Sequence, residues 1–447
     1  MVGGVFDTSI GKIRPGTYVN FEAKKTNVVD KSERGVVVIP IAVSKYGKKG
    51  SVIEVSSSNA DSLQSQLGFS VYDNEESMLL IRESLKKATT VKVYLMNEGE
   101  KATITSGNLT ATALYGGSRG NSFTVTIIAN AVSGYDVTIY LAGSKVEEFT
   151  QLSTVEDLIA CESKYLSFSG TGDLTEVAGA VLTGGADGET TNSNLTTFLD
   201  DLENISFNAV AFPIDGLEAS AFASIKSKIK YLRNSLGKTG QFVVANYAGD
   251  YEGIINVTNG VILSDETVID AVKATAYVAG ATAGAAYNAS NTYLTYDDAV
   301  KVYGIKENEK AELAIQNGEF FFSLSNDGKV IIEYDINSLA TAASVGNKPD
   351  GYKKNRFIRV IDTLLEDLQT EFPPARFNNN QEGWDLMEGR GNAILKQYEA
   401  DNAISDVDYE NDFLVDRTKS SGDGTYINVA IKPVDSAEKI YITVKTE

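Results

Sequence analysis

The chain of 447 residues has no histidine, one cysteine, one tryptophan, four methionines and seven prolines. Without histidine, triads with a His base, His-ligated zinc and His general acid–base catalysis are excluded. One cysteine, Cys161, excludes an internal disulfide and any Cys-His nucleophile or Cys-cluster metal site. Preceded by Leu158 and Ile159, it reads as a small buried apolar residue. Positive charge is also scarce: 40 Lys and Arg against 60 Asp and Glu leave a net charge of −20, the opposite of a nucleic-acid-binding face. No apolar run is long enough to span a membrane, and the N-terminus lacks the basic-then-apolar pattern of a secretory signal.

What is present is the composition of a folded multidomain protein, 43% hydrophobic and 22% charged, with 22 Tyr and 18 Phe. Both ends carry strand-like alternation. Near the N-terminus, Thr17, Val19 and Phe21 oppose Tyr18, Asn20 and Glu22; at the other end Ile440, Ile442 and Val444 oppose Tyr441, Thr443 and Lys445. Neither strand has a partner nearby in sequence. Such strands pair with each other in one subunit or are lent to a sheet edge of another molecule.

Between them, Gly35–Ala42 is a continuous apolar run of the kind covered on both faces. It is followed by helical spacing at Leu79–Leu85 and a strand at Val91–Leu95, a βαβ unit. Residues 103–188 turn to Thr, Gly and Asn with short strands at Leu109–Tyr115, Phe123–Ala129 and Tyr135–Leu141, plus a helix announced by Thr154 and Asp157. The α/β pattern then resumes: helix Thr196–Glu203, strand Phe207–Phe212, helix Phe222–Leu236, strand Gln241–Asn246 and a small-residue helix over Thr267–Asn288. In that helix Ala276, Gly280, Ala283 and Gly284 invite close backbone approach. Asn326-Asp327-Gly328 marks a hairpin between Phe320–Ser323 and Val330–Tyr334. Lys353–Glu371 reads as an amphipathic helix with the stripe Phe357, Val360, Ile361, Leu364, Leu365 and Leu368. A helix over Gln381–Asn402 and strands at Tyr426–Lys432 and Lys439–Lys445 complete the chain. The expected fold is thus α+β and α/β multidomain. Residues 31–102 with 189–335 form a discontinuous α/β domain, 103–188 an inserted β-rich outer domain, and 336–447 a C-terminal α+β domain. Strand-bearing arms lie at 1–30 and about 436–447.

Candidate chemistry is thin. Gly116-Gly117-Ser118-Arg119-Gly120 lacks the Gly-Lys-Ser/Thr ending of a phosphate loop and precedes a strand, so it reads as a turn. Asp187 with Glu189, Asp297 with Asp298, and Asp406 with Asp408 match no calcium-loop spacing. Lys353, Lys354, Arg356 and Arg359 form one basic cluster, which either offsets acidic groups of the same molecule or docks an acidic partner surface.

The ordered set Arg14-Pro15-Gly16-Thr17-Tyr18-Val19-Asn20-Phe21, Arg34 to Pro40, Gly116 to Asn121, Leu182 to Gly188, Phe207-Asn208, the Ala-rich helix through Gly280, Asn378 to Trp384 and Ile394 to Tyr398 resembles contractile tail sheath proteins of myophages and of phage-tail-like bacteriocins from Gram-positive hosts. The resemblance implies a homopolymer of stacked rings around an inner tail tube, contracting to drive the tube through a host envelope. It further implies baseplate and tail terminator partners, no nucleic-acid partner, no direct membrane insertion, and a place in a virion or tail-like particle assembled in the bacterial cytoplasm. No catalytic, metal or cofactor site is implied. It assigns strand donation to Thr17–Glu22 and Ile440–Val444, hinges to Gly11, Gly16 and Asp435-Ser436-Ala437, and tube contact to Lys353, Lys354, Arg356 and Arg359. A type VI secretion-like sheath and a carboxylate-dependent glycoside hydrolase are the alternative readings.

Overall fold

The computed structural model describes residues 34–60, 63–341 and 348–446. The N-terminal strand expected at Thr17–Glu22, with Gly11 and Gly16, lies outside the described residues.

Strand β1 (Val36–Ile41) is buried on both faces, as its unbroken apolar run requires. After β2 (Val52–Ser56), α1 (Gln64–Leu67) and α2 (Glu76–Leu85), β3 (Thr90–Leu95) returns parallel to β1 with Val36 opposite Thr90 and Ile41 opposite Leu95. This is the expected βαβ unit. β2 adds antiparallel to the outer edge of β3.

A two-sheet domain interrupts the α/β pattern here. It contains β4 (Thr103–Ser106), β5 (Leu109–Ala113), β6 (Phe123–Ala129), β7 (Tyr135–Leu141), β8 (Ser144–Leu152), α3 (Val155–Ile159), β9 (Leu166–Gly170) and β10 (Val177–Val181). The sheets β10-β6-β7-β8 and β4-β5-β9 close on a core that includes Leu109, Ala111, Phe123, Val125, Val137 and Ile139. Thr154 and Asp157 form the reciprocal cap that starts α3. Cys161 departs from expectation. It lies just past the end of α3, partly exposed, its Sγ 3.3 Å from the Asp157 carbonyl.

The α/β domain continues with α4 (Asn192–Asp201), β11 (Ala209–Phe212), α5 (Ala219–Ser235), β12 (Gln241–Ala245) and β13 (Ile254–Val257). Next come β14 (Gly260–Leu263), β15 (Val268–Ile269), α6 (Ala271–Gly284), β16 (Ala299–Tyr303), α7 (Asn308–Gln316), β17 (Glu319–Phe320), β18 (Phe322–Leu324) and β19 (Val330–Ile332). Seven strands make one sheet in the order β17-β13-β12-β11-β1-β3-β2. Residues of α2 and α6 pack on the face that carries Val37 and Ile39. Residues of α4 and α5 pack on the face that carries Val38 and Val210. Helix α6 is shorter than its apolar composition suggests. Asp270 caps it by accepting from the Lys273 N–H at 2.9 Å, and Val268–Ile269 pairs as a strand instead. Its glycines do allow close approach: a Cβ would lie 2.3 Å from the Ser84 carbonyl at Gly280 and 1.9 Å from that of Lys87 at Gly284.

The C-terminal region holds α8 (Asn355–Glu371), α9 (Gln381–Ala400), β20 (Phe413–Val415) and β21 (Ile427–Val429). Helix α8 does not lie on the stripe read from its sequence. Val360 and Leu364 are buried, but Leu365 is 38% exposed, and Arg356, Arg359, Asp362, Thr363 and Asp367 are buried in its place. These polar groups are tolerated because each meets a polar partner: Arg359, Asp362 and Thr363 meet Asp335, Arg233 and Arg34, while Arg356 and Asp367 meet Ser436 and Tyr398 of the C-terminal region itself.

Candidate assembly site in the C-terminal domain

The polar face of α8 rests on the α/β domain through paired charges. Arg233 of α5 grips Asp362 with both terminal nitrogens, at 2.7 and 2.6 Å, while the Gly240 N–H donates to the same carboxylate at 3.2 Å. Burial opposes the Arg233 charge, but Asp362 outweighs it and holds the guanidinium pKa above the ordinary range. Arg359, only 1% exposed, donates to Asp335 at 2.6 Å and to the Ala289 carbonyl at 2.7 Å. Asn355 bridges Gln241 and Asp335, each at 2.9 Å. Arg34 reaches the Thr282 carbonyl at 3.2 Å and the Thr363 hydroxyl at 3.5 Å; burial, then repulsion from Arg359, lowers its pKa to about 10. Burial likewise raises the Glu366 pKa.

The N-terminal end of α8 holds the root of the C-terminal segment. Lys354 Nζ donates to Asp435 and to Glu438, both at 2.6 Å. The other oxygen of Glu438 accepts from Ser290 at 2.7 Å and Thr292 at 2.8 Å. Arg356 donates to the Ser436 hydroxyl at 2.7 Å and to the Asn402 carbonyl at 3.3 Å. Burial opposes the Lys354 charge, but the bonds to Asp435 and Glu438 prevail and raise its pKa above the usual lysine value; burial lowers that of Arg356. The backbone joins in, with Val434 N–H on the Ala403 carbonyl at 2.9 Å.

This arrangement answers several sequence expectations. Of the basic cluster, Arg356 and Arg359 are buried, Lys354 is spent on two carboxylates, and Lys353 is half-buried with Asp350 at 3.6 Å. These charges are therefore engaged with groups of the same molecule. Of Asp435-Ser436-Ala437, read as a hinge, Asp435 accepts from Lys354 and Ser436 from Arg356. Beyond it Ile440, Tyr441, Ile442 and Val444 are 73%, 90%, 80% and 80% exposed, and residues 440–444 pair with no strand among the described residues. A root held by side-chain bonds, followed by exposed β-branched residues, places a strand former without a partner strand among the described residues outside the core. The clamp escaped sequence reading because its members lie far apart in the chain; only the basic start of α8, unfavourable for the helix dipole, hinted at nearby acids.

The comparisons with known proteins bear on this geometry. The family model of the phage tail sheath protein central domain matches residues 188–338, that of the phage tail sheath C-terminal domain 347–447, and that of the phage tail sheath protein beta-sandwich domain 97–187. The phage-like element PBSX protein XkdK of Bacillus subtilis is 37% identical across the whole of both chains.

The chain belongs to the phage tail sheath family. A sheath tail protein of Desulfitobacterium hafniense superposes with a TM-score of 0.82 at 37% identity, over 96% of this chain and 99% of that one. The contracted helical sheath of the anti-feeding prophage shares the fold, with a TM-score of 0.55 at 11% identity over 98% of this chain and 100% of that one. A sheath protein is a structural subunit of a tail or tail-like particle.

One cavity of about 610 Å³ opens at the carboxyl ends of β1 and β11, where open α/β sheets bind ligands. Its lysines face acids across it, Lys45 on Glu75 at 2.9 Å and Lys273 on Glu76 at 3.5 Å. Among the described residues no group of acids could hold a metal ion, and no helix is long and apolar enough to cross a membrane.

Proposed function

We propose that the chain polymerises by strand exchange into a sheath around an inner tail tube. Contraction of that sheath drives the tube through a host envelope, without catalysis by the subunit. The observation that carries this reading is the C-terminal segment: a root clamped through Lys354 and Arg356, then exposed alternation at Ile440, Ile442 and Val444. A main-chain ladder is directional and tolerates swivelling at its connectors, so subunits stay linked while a lattice rearranges. Donation from Thr17–Glu22 at the other end belongs to the same reading. Baseplate and terminator contacts, and assembly in the bacterial cytoplasm, are part of the same proposal.

The experiment is truncation after Glu438 with assembly read by electron microscopy. The truncated chain is expected to fold as a soluble subunit that forms no sheath. Glycosidase turnover abolished by changing one carboxylate would favour the enzyme reading instead.

A further inference from the structure

The cavity at the carboxyl ends of β1 and β11 lies where the strand order turns, with β3 continuing the sheet on one side of this pair and β12 on the other. Leu80, Leu195 and Ile214 form its buried apolar floor, and Val43, 48% exposed, stands at its mouth. Five carboxylates and two lysines line it. Lys45 and Lys273 are taken by Glu75 and Glu76, which leaves Asp215, Glu218 and Asp270 without a cation among the described residues. Asp215 accepts from the Gly216 N–H of its own turn at 2.9 Å, and Asp270 spends one oxygen on the Lys273 N–H. The cavity is thus apolar below and acidic above.

Four helices begin at this cavity, and two of them begin without a cap. The side chains of Thr191 and Asp270 cap α4 and α6, whereas no side chain caps α2 at Glu75 or α5 at Glu218. The first N–H groups of α2 and α5 are therefore left for a carbonyl from outside. A lone anion is repelled by the three carboxylates that have no cation. A peptide suits every feature: main-chain carbonyls for the N–H groups, an apolar side chain for the floor and cationic side chains for the mouth.

We propose that the cavity seats Ile10-Gly11-Lys12-Ile13-Arg14 of the same chain while the subunit is free. This stretch, outside the described residues, combines two isoleucines with two cations and carries no acid. In an extended segment Ile13 turns to the floor, and Lys12 and Arg14 turn the other way, to the carboxylates of the mouth. Reach is sufficient. Arg34 stands at the amino end of β1, and the six residues of that strand put the cavity about 20 Å beyond it. The 20 residues from Arg14 to Arg34 can span roughly 66 Å. Such a tether holds the segment at an effective concentration of order millimolar, so in dilute solution its own chain outcompetes a second copy. Seating Ile13 also keeps Thr17–Glu22 beside its own subunit, so the free chain does not lend that strand before assembly. This consequence rests on the strand-exchange reading; the docking itself does not.

The test is disulfide trapping in the full chain, dilute, under oxidised glutathione and in a Cys161→Ser background. Ile13→Cys is paired in turn with Val43→Cys and Leu217→Cys, which line the cavity, and with Leu236→Cys as the control. Leu236 is 46% exposed and follows α5 beside Gly240, which bonds Asp362 of α8; Arg34 meets Thr363 of the same helix, so an unseated segment encounters Leu236 at least as often. With circular dichroism native in each variant, the two cavity pairs should close an intramolecular bond about tenfold or more faster than the control, read by peptide mass mapping. Lys12→Glu with Arg14→Glu should abolish that preference and leave the Leu236 rate unchanged. Equal rates at all three sites, or a preference that survives the charge reversal, overturns the docking. Disulfide-linked dimers in place of the intramolecular bond overturn the choice of the chain's own segment. Failure of the full chain to assemble would refute strand exchange and leave these rates unaffected.

Discussion

Lys354 is the residue at which one side chain controls a whole segment, since it bridges Asp435 and Glu438 while Ser290 and Thr292 hold the remaining oxygen of Glu438. Lys354→Ala should speed amide exchange at residues 434–439 at least severalfold and leave the α/β core unchanged; equal protection in variant and wild type would refute the clamp. Its pH dependence has a definite sign. The folded pKa is raised, so the stabilisation is fully present below the ordinary lysine value of 10.5 and fades as pH rises through the higher folded value. The contribution of Lys354 to root protection should therefore stay constant from about pH 7 to about pH 10 and decline only in stronger alkali; a decline centred near neutrality would contradict the assignment. Asp362 is the corresponding residue in the seam. Asp362→Ala strands the buried Arg233 guanidinium and should cost about 3–5 kcal/mol in denaturant unfolding. The double change Arg233→Met with Asp362→Leu should recover much of that loss, because it removes both desolvated charges.

At the scale of elements, Gly280 and Gly284 set how closely α6 meets the end of α2. Gly284→Ala places a methyl 1.9 Å from the Lys87 carbonyl and should destabilise by about 1–3 kcal/mol, seen as a lower Tm. A Cβ added at Gly389 of α9 would meet nothing within 4 Å, so Gly389→Ala is the control and should be neutral or mildly stabilising. The glycines of α6 were legible in the sequence as a stripe of small residues. So were β6 and β7, whose alternation and turn residues are local signals, and the α3 cap at Thr154. The burial of α8 was not. Reading an amphipathic helix assumes that charge faces water, whereas Arg356, Arg359 and Asp362 face partners brought from Asn402, Asp335 and Arg233 by the tertiary fold. Short strands such as β2 and β13 escaped for a different reason: their pairing lies with distant residues, and four or five residues carry little periodicity. The alternation at Ile440–Val444 was legible, but its partner is not a property of this chain's own sequence order.

At the scale of the molecule, the two-sheet domain hangs from the α/β domain between β3 and α4, and the C-terminal domain is fixed to it by the polar seam of α8. The C-terminal root held by Lys354 and Arg356 and the seam closed by Arg233 and Asp362 lie on the same helix, so load applied beyond Glu438 is passed to the α/β domain through α8. Loosening the seam should then weaken assembly even with the arms intact: Asp362→Ala should give shorter or fewer sheaths at a temperature where the subunit stays folded, as counted in micrographs. The central claim is that the segment beyond Glu438 links one subunit to another. Negative-stain electron microscopy of the chain ending at Glu438, beside the full chain under the same conditions, tests it most directly. The account predicts sheaths from the full chain and only dispersed, folded subunits from the truncated one; sheaths of normal length from the truncated chain would contradict it.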